Sequence, residues 1–270
     1  MKGLLHKKDW SLELLFLTAF LSAIIGIVGA YWDIGWHFDF GRDTFWSPPH
    51  LFIYGSISLT SLFLVLNLVL AVKRGTAHKN KHLFHLLLFA AVATMFTYAS
   101  APIDDLWHRL YGIDVQIISL PHLMLLFGAI LGTAATVSLL NYHIEHNRKK
   151  FLLEKLLLPF LMASILAASI LVFAESEFLT LPANHPVQDR LPWVYPAYSI
   201  GFAAVVIFAS KYVSNLKWGA TLTVLFFLFL RTLPIVYNTW WGMDSVPIFP
   251  PYWLLFLTMA VLADLFSKKN

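Results

Sequence analysis

The sequence predicts an all-α, polytopic integral membrane protein of about eight transmembrane helices, paired as four helical hairpins, with both termini in the cytoplasm. Three observations carry this prediction. The 270 residues are 59% hydrophobic and 13% charged, against roughly 45–50% and about 25% in soluble globular chains. Mean hydropathy is +0.69, and the apolar excess runs along the whole length rather than forming one anchor. Lys and Arg fall in alternate connections. Such a chain is not a soluble enzyme, a disordered protein or a nucleic-acid binder. Nor does it fit a membrane barrel, whose strands alternate apolar and polar residues, because these runs are continuous.

A helix that crosses a bilayer needs about 20 mostly apolar residues, and eight segments qualify in order. The first, 11–32, follows Lys7 and Lys8 and ends in Val28-Gly29-Ala30. A cleaved signal peptide shares that pattern, but the run is long for one, and its loss would invert the charge pattern downstream. The second, 49–72, opens at Pro48-Pro49-His50 and closes at Lys73. The third, 83–102, lies between a basic connection and Asp104. The fourth, 118–141, opens at Leu120-Pro121-His122. The fifth, 152–174, follows Arg148-Lys149-Lys150 and ends at Glu175. The sixth, 193–211, opens near Tyr195-Pro196. The seventh, 218–236, follows Lys217 and stops short of Asn238. The eighth, 249–267, opens at Pro250-Pro251-Tyr252. Proline is tolerated in the first turn of a helix.

Fifteen of the 19 Lys and Arg residues lie in the connections 1–10, 73–82, 141–155, 211–217 and 267–270. Short basic connections stay in the cytoplasm. The opposite connections, which hold 10 of the 15 acids, are then extracytoplasmic, in a multi-pass protein of the cell membrane. Arg42, Arg109, Arg190 and Arg231 lie in or near those outer connections. The basic pI is thus a topology signal. His78, His82, His85, His143 and His146 read as part of the solvated basic face.

Asp33, Asp104 and Glu175 end spans one, three and five at intervals of 71 residues, and Asn238 ends span seven 63 further on. The chain reads as a duplicated hairpin, each copy crossing on the outer side. Residues 1–145 hold two hairpins with a metal-type motif, and 146–270 hold two drifted hairpins without it.

Asp33 and His37 are four apart and share a helix face, and His50 follows thirteen later at the start of the next span. A hairpin can return it to that face. Asp104, His108 and His122 repeat the arrangement, with fourteen between the histidines. Two imidazoles and a carboxylate form an open coordination set for copper, zinc or iron. Ionisable groups at membrane depth are costly and tend to be functional; the bland alternative is a buried hydrogen-bond network. Asp39, Arg42 and Asp43 sit in the connection, as surface charges or as groups orienting a liganding imidazole. Trp32, Trp36, Trp46 and Trp107 read as an interfacial belt. Cysteine is absent, so no thiolate site is available.

At these segments the sequence resembles the C-type subunit of the copper membrane monooxygenases, the particulate methane and ammonia monooxygenase family. The first segment carries Asp33, His37, Arg42-Asp43-Thr44, Pro48, His50 and Tyr54-Gly55 in the family's order and spacing. In the second, Asp104, His108 and His122 stand where the family has Asn, His and His, followed by Gly128. The match covers roughly 30–56 and 101–128 and leaves 146–270 without a counterpart. The resemblance implies copper held by Asp33, His37 and His50. It implies a neighbouring site to which Asp104 and His108 contribute, which could share His50, with His122 as a further candidate. It further implies oxidation of a small apolar substrate by dioxygen in a Phe- and Trp-lined pocket, within a complex of other membrane subunits or a homo-oligomer. Asp104 in place of Asn adds negative charge and could favour a harder metal. Open alternatives are a membrane transporter or metal-handling protein, a structural subunit, and a zinc hydrolase.

Overall fold

The computed structural model of the chain describes residues 10–41, 44–111, 117–146, 152–179 and 191–266. Nine α-helices run through them: α1 (Trp10–Phe40), α2 (Pro48–Lys73), α3 (Thr76–Lys79), α4 (Lys81–Tyr111), α5 (Leu120–His146), α6 (Leu152–Ile170), α7 (Val194–Ser214), α8 (Gly219–Trp241) and α9 (Trp253–Phe266). A 3-10 segment, Leu171–Glu177, continues α6. Seven helices are long and apolar enough to cross a membrane: α1, α2, α4, α5, α6 with its continuation, α7 and α8. The protein is an all-α, multi-pass membrane protein.

The eighth apolar segment forms only the 14 residues of α9, about 21 Å of helix. Pro247, Pro250 and Pro251 lie in the irregular stretch before it, since proline cannot continue a helical hydrogen-bond ladder. α9 still runs back along α8. Near its end the Asp264 carboxylate accepts from Ala220 N (3.3 Å), Thr221 N (2.8 Å) and Thr221 Oγ1 (2.8 Å), at the first turn of α8. Lys211 Nζ lies 3.1 Å from the same carboxylate.

α1 packs along α2, and α4 along α5, as two close hairpins. Gly128 allows the second: a Cβ there would stand 2.9 Å from the Thr97 backbone nitrogen. α6 is the central span. It touches α1, α5, α7 and α8, and 67% of its most apolar window is buried. One hydrophobic core draws on both halves of the chain, from Leu15 and Leu140 to Leu166 and Phe227.

The aromatic residues depart from a simple belt. Trp46 is 73% exposed, but Trp32 is 1% exposed. Its ring packs between Phe52 of α2 and Tyr237 and Trp241 of α8. Burying so large a ring between helices removes more apolar surface than an interfacial position could. His143 also leaves the basic face. It is buried against Phe16, with Nε2 3.8 Å from Glu154 Oε1.

Candidate metal centre

α1 carries Asp33 and His37 one turn apart, and α2 starts with His50. Among the described residues these three form the one group of His and acidic side chains whose donor atoms all lie within 4.8 Å of one another. Asp33 Oδ1 is 3.3 Å from His50 Nε2, and Oδ2 is 3.9 Å from His37 Nε2. The side chains are 12–15% exposed. The second hairpin repeats the wiring. Asp104 Oδ2 is 3.5 Å from His108 Nε2, and Oδ1 is 3.6 Å from His122 Nε2. In both hairpins one carboxylate divides its oxygens between the histidine one turn on and the histidine opening the next helix. In the structure the third residue beside Asp104 and His108 is thus His122.

The orientation of the imidazoles follows from the residues just before each helix. His50 Nδ1 lies 3.0 Å from the Thr44 carbonyl. A carbonyl only accepts, so Nδ1 carries the proton, and Nε2 is the ring nitrogen turned toward Asp33. Thr44 is itself fixed by donating its N–H to Ser47 Oγ at 2.8 Å. His122 Nδ1 is 3.0 Å from Ser119 Oγ. Ser47 and Ser119 both stand three residues before the histidine. This Ser-x-Pro-His pattern occurs in both hairpins of the sequence and marks these serines, which the motif spacing alone passes over.

The spacing within both clusters is looser than that of direct hydrogen bonds. Asp33 Oδ1 and Asp104 Oδ1 are buried and accept no hydrogen bond among the described residues. Hydrogen bonds to nitrogen run at about 2.7–3.2 Å. Two donors each about 2.1 Å from a tetrahedral ion stand roughly 3.4 Å apart. The separations of 3.3, 3.5 and 3.6 Å lie near the second range, and the 3.9 Å from Asp33 Oδ2 to His37 Nε2 lies beyond it. Among the described residues only the first cluster has all its donors within 4.8 Å of one another. Both clusters border one cavity of about 60 Å³, lined by Asp33 and His37 on one side and His122 on the other. That is room for about four waters.

Asp39 has another task. Its carboxylate accepts from Asp244 N (2.9 Å) and Ser245 N (3.0 Å), which fastens the stretch before α9 to the C-terminal end of α1. Arg42 and Asp43 lie outside the described residues.

Residues of the second half of the chain supply a brace. Glu175, the counterpart of Asp33 and Asp104, is fully buried and accepts the Ile117 N–H at 2.6 Å. It thereby holds the segment leading to Ser119 and His122. Asn238, the fourth counterpart, donates to the Tyr31 carbonyl at 3.3 Å. Glu177 is fully buried with Arg231 at 2.7 Å. It also accepts Tyr31 Oη at 2.5 Å and the hydroxyl of Tyr195. Arg231, placed near an outer connection by sequence, is fully buried within α8, its guanidinium 3.8 Å from the centre of the Tyr31 ring. An Arg inside an apolar run requires a counter-ion, and the two nearby Glu residues were the available signal. Replacing Glu175 by Ala removes the acceptor of the Ile117 N–H and is expected to weaken the metal uptake proposed for Asp104, His108 and His122 by about tenfold, with that at Asp33, His37 and His50 unchanged. Metal titration of the variant beside wild type checks this.

No family model, curated protein or solved structure matches the chain.

Proposed function

We propose that the protein is a copper-binding subunit of a membrane oxidoreductase that oxidises an apolar substrate with dioxygen. The observation that supports the metal is the grouping of Asp33, His37 and His50, whose donor atoms all lie within 4.8 Å of one another. The repetition of the same wiring in the second hairpin supports a selected arrangement.

Asp33, His37 and His50 would hold one ion, and Asp104, His108 and His122 a second. Copper and the oxidation of C–H or N–H bonds come from the resemblance to the copper membrane monooxygenases. The donor set itself also admits zinc and iron. Bound copper would supply one-electron chemistry and reaction with dioxygen. The chain's own part is to orient the His50 and His122 rings through Thr44 and Ser119, and to place negative charge at Asp33 and Asp104 beside a small cavity. The alternating basic connections support eight crossings with both termini in the cytoplasm and the clusters at the extracytoplasmic side of the cell membrane. Electrons would come from companion subunits of a membrane complex or a homo-oligomer.

Metal analysis of the full chain in nanodiscs tests the reading, together with electron paramagnetic resonance of the oxidised form. The expected result is about one or two coppers per chain with nitrogen hyperfine coupling. A folded wild-type protein without metal overturns it, and zinc alone discards the oxidation chemistry.

A further inference from the structure

A second cavity, of about 190 Å³, lies inward of the clusters, among α1, α2, α4, α5 and α6. It shares Ala30, Ile53, Leu125, Leu126 and Leu171 with the cavity at Asp33 and His37, so the two abut end to end. On α1 its wall runs from Leu15 to Ala30, about 22 Å of helix, and on α5 from Leu125 to Thr136, about 16 Å. A compact apolar cavity of about 150 Å³ admits one benzene ring. Similar room drawn out over about 15–20 Å of helix is one hydrocarbon chain wide. Small residues make the slot: Ala19, Ala23, Gly26 and Ala30 follow one face of α1 at three- and four-residue steps.

The walls define the chemistry of the occupant. They contain no charged residue and no aromatic ring; the Phe and Trp side chains pack between helices instead. Nine Ser and Thr hydroxyls line the slot, and each has an acceptor within the protein. Seven donate to a carbonyl of their own helix. Ser22 donates to the Ser56 carbonyl, which leaves Thr60 to donate to Ser22 Oγ. No donor remains for a carboxylate, a carbonyl or an anion, and a buried acceptor without a donor is costly. An ion pathway would need ionisable groups here, and the lining has none.

We infer that this slot binds a single unbranched alkyl chain, lying parallel to the helices, with one end presented to Asp33 and His37. This is a longer substrate than methane or ammonia. What happens to the presented end rests on the oxidation reading; the binding does not.

The test is photolabelling of the full chain in nanodiscs with a decyl chain bearing a terminal diazirine, mapped by mass spectrometry. Label is expected on the slot faces of α1 and α5, and decane should compete it at least about tenfold better than the compact cage hydrocarbon adamantane. Gly132→Leu should plug the slot. A Cβ at Gly132 meets only the Ala93 methyl, at 3.9 Å, and Leu is the better helix former. It should lower slot labelling about tenfold while metal content stays at wild-type level. Ala23→Leu, on the opposite wall, should do the same. Asp33→Asn should leave labelling intact, which separates failure of the slot from failure of the metal reading. Label confined to lipid-facing positions such as Val65 and Phe96, or unchanged in both plugged variants, overturns the proposal. So does a phospholipid found with its tail in the slot and its headgroup toward Asp33 and His37, because no chain end is then presented there.

Discussion

Exchanging His37 and His50 together for Ala is expected to strip the first cluster of the metal proposed for it. Content there is expected to fall by more than about tenfold, since even supporting groups of a metal site contribute 10–100-fold. Asp33 is left with nothing to share, and one carboxylate on an apolar wall does not hold an ion in competition with water. The matching double variant, His108→Ala/His122→Ala, tells one centre from two. If the clusters bind separately, each double variant removes its own share of the metal and the losses add. If a single centre spans the 60 Å³ cavity that both clusters border, either double variant removes nearly all of it. The fold should survive in both cases, because the lost rings leave a polar cavity that water can enter. Far-ultraviolet circular dichroism and the metal content of the same preparations check this. Unchanged content in the first variant would end the metal reading of this cluster.

Much of this arrangement was legible in the sequence because it depends on local spacing. Seven of the eight spans expected from runs of about 20 apolar residues form helices of crossing length. The pairing of Asp33 with His37, and of Asp104 with His108, follows from one helical turn. The return of His50 and His122 follows from hairpin geometry and from the prolines that start α2 and α5. What could not be read depends on contacts between distant segments. Trp32 looks interfacial by position, yet its neighbours Tyr237 and Trp241 are some two hundred residues away. His143 sits among basic residues in the chain but against Phe16 in space. Glu175 seemed to have lost its partner because the pattern asked for a histidine four later. Its actual partner is the Ile117 N–H from another hairpin. The shortness of α9 is a local matter, signalled by three prolines, but hydropathy averaged over the segment hides it.

Removing either member of the Glu177–Arg231 pair should destabilise the protein by about 3–5 kcal/mol, because the partner is left as an uncompensated charge in a dry interior. Both side chains are fully buried, and two guanidinium nitrogens of Arg231, Nε and Nη1, have no hydrogen-bond partner among the described residues. Glu177 is the main group neutralising that guanidinium. Arg231→Ala and Glu177→Ala should each show the full loss in an SDS titration from mixed micelles. Glu177→Gln keeps an acceptor for the hydroxyls of Tyr31 and Tyr195 but removes the charge, so it should lie close to Glu177→Ala. The double variant Glu177→Gln/Arg231→Met removes both charges at similar volume. It should be more stable than either single charge deletion, and the cycle measures their coupling. Additive losses would show that the two charges do not depend on each other. The pair also reaches the metal site through the backbone. Tyr31 donates to Glu177 and lies two residues before Asp33 on α1, and its carbonyl receives Asn238. Tyr31→Phe should therefore cost about 1.5–3 kcal/mol for the hydrogen bond to a charged carboxylate. It should weaken metal uptake at Asp33 as well, because the turn of α1 that aims the carboxylate loses one of its two tethers to the second half of the chain.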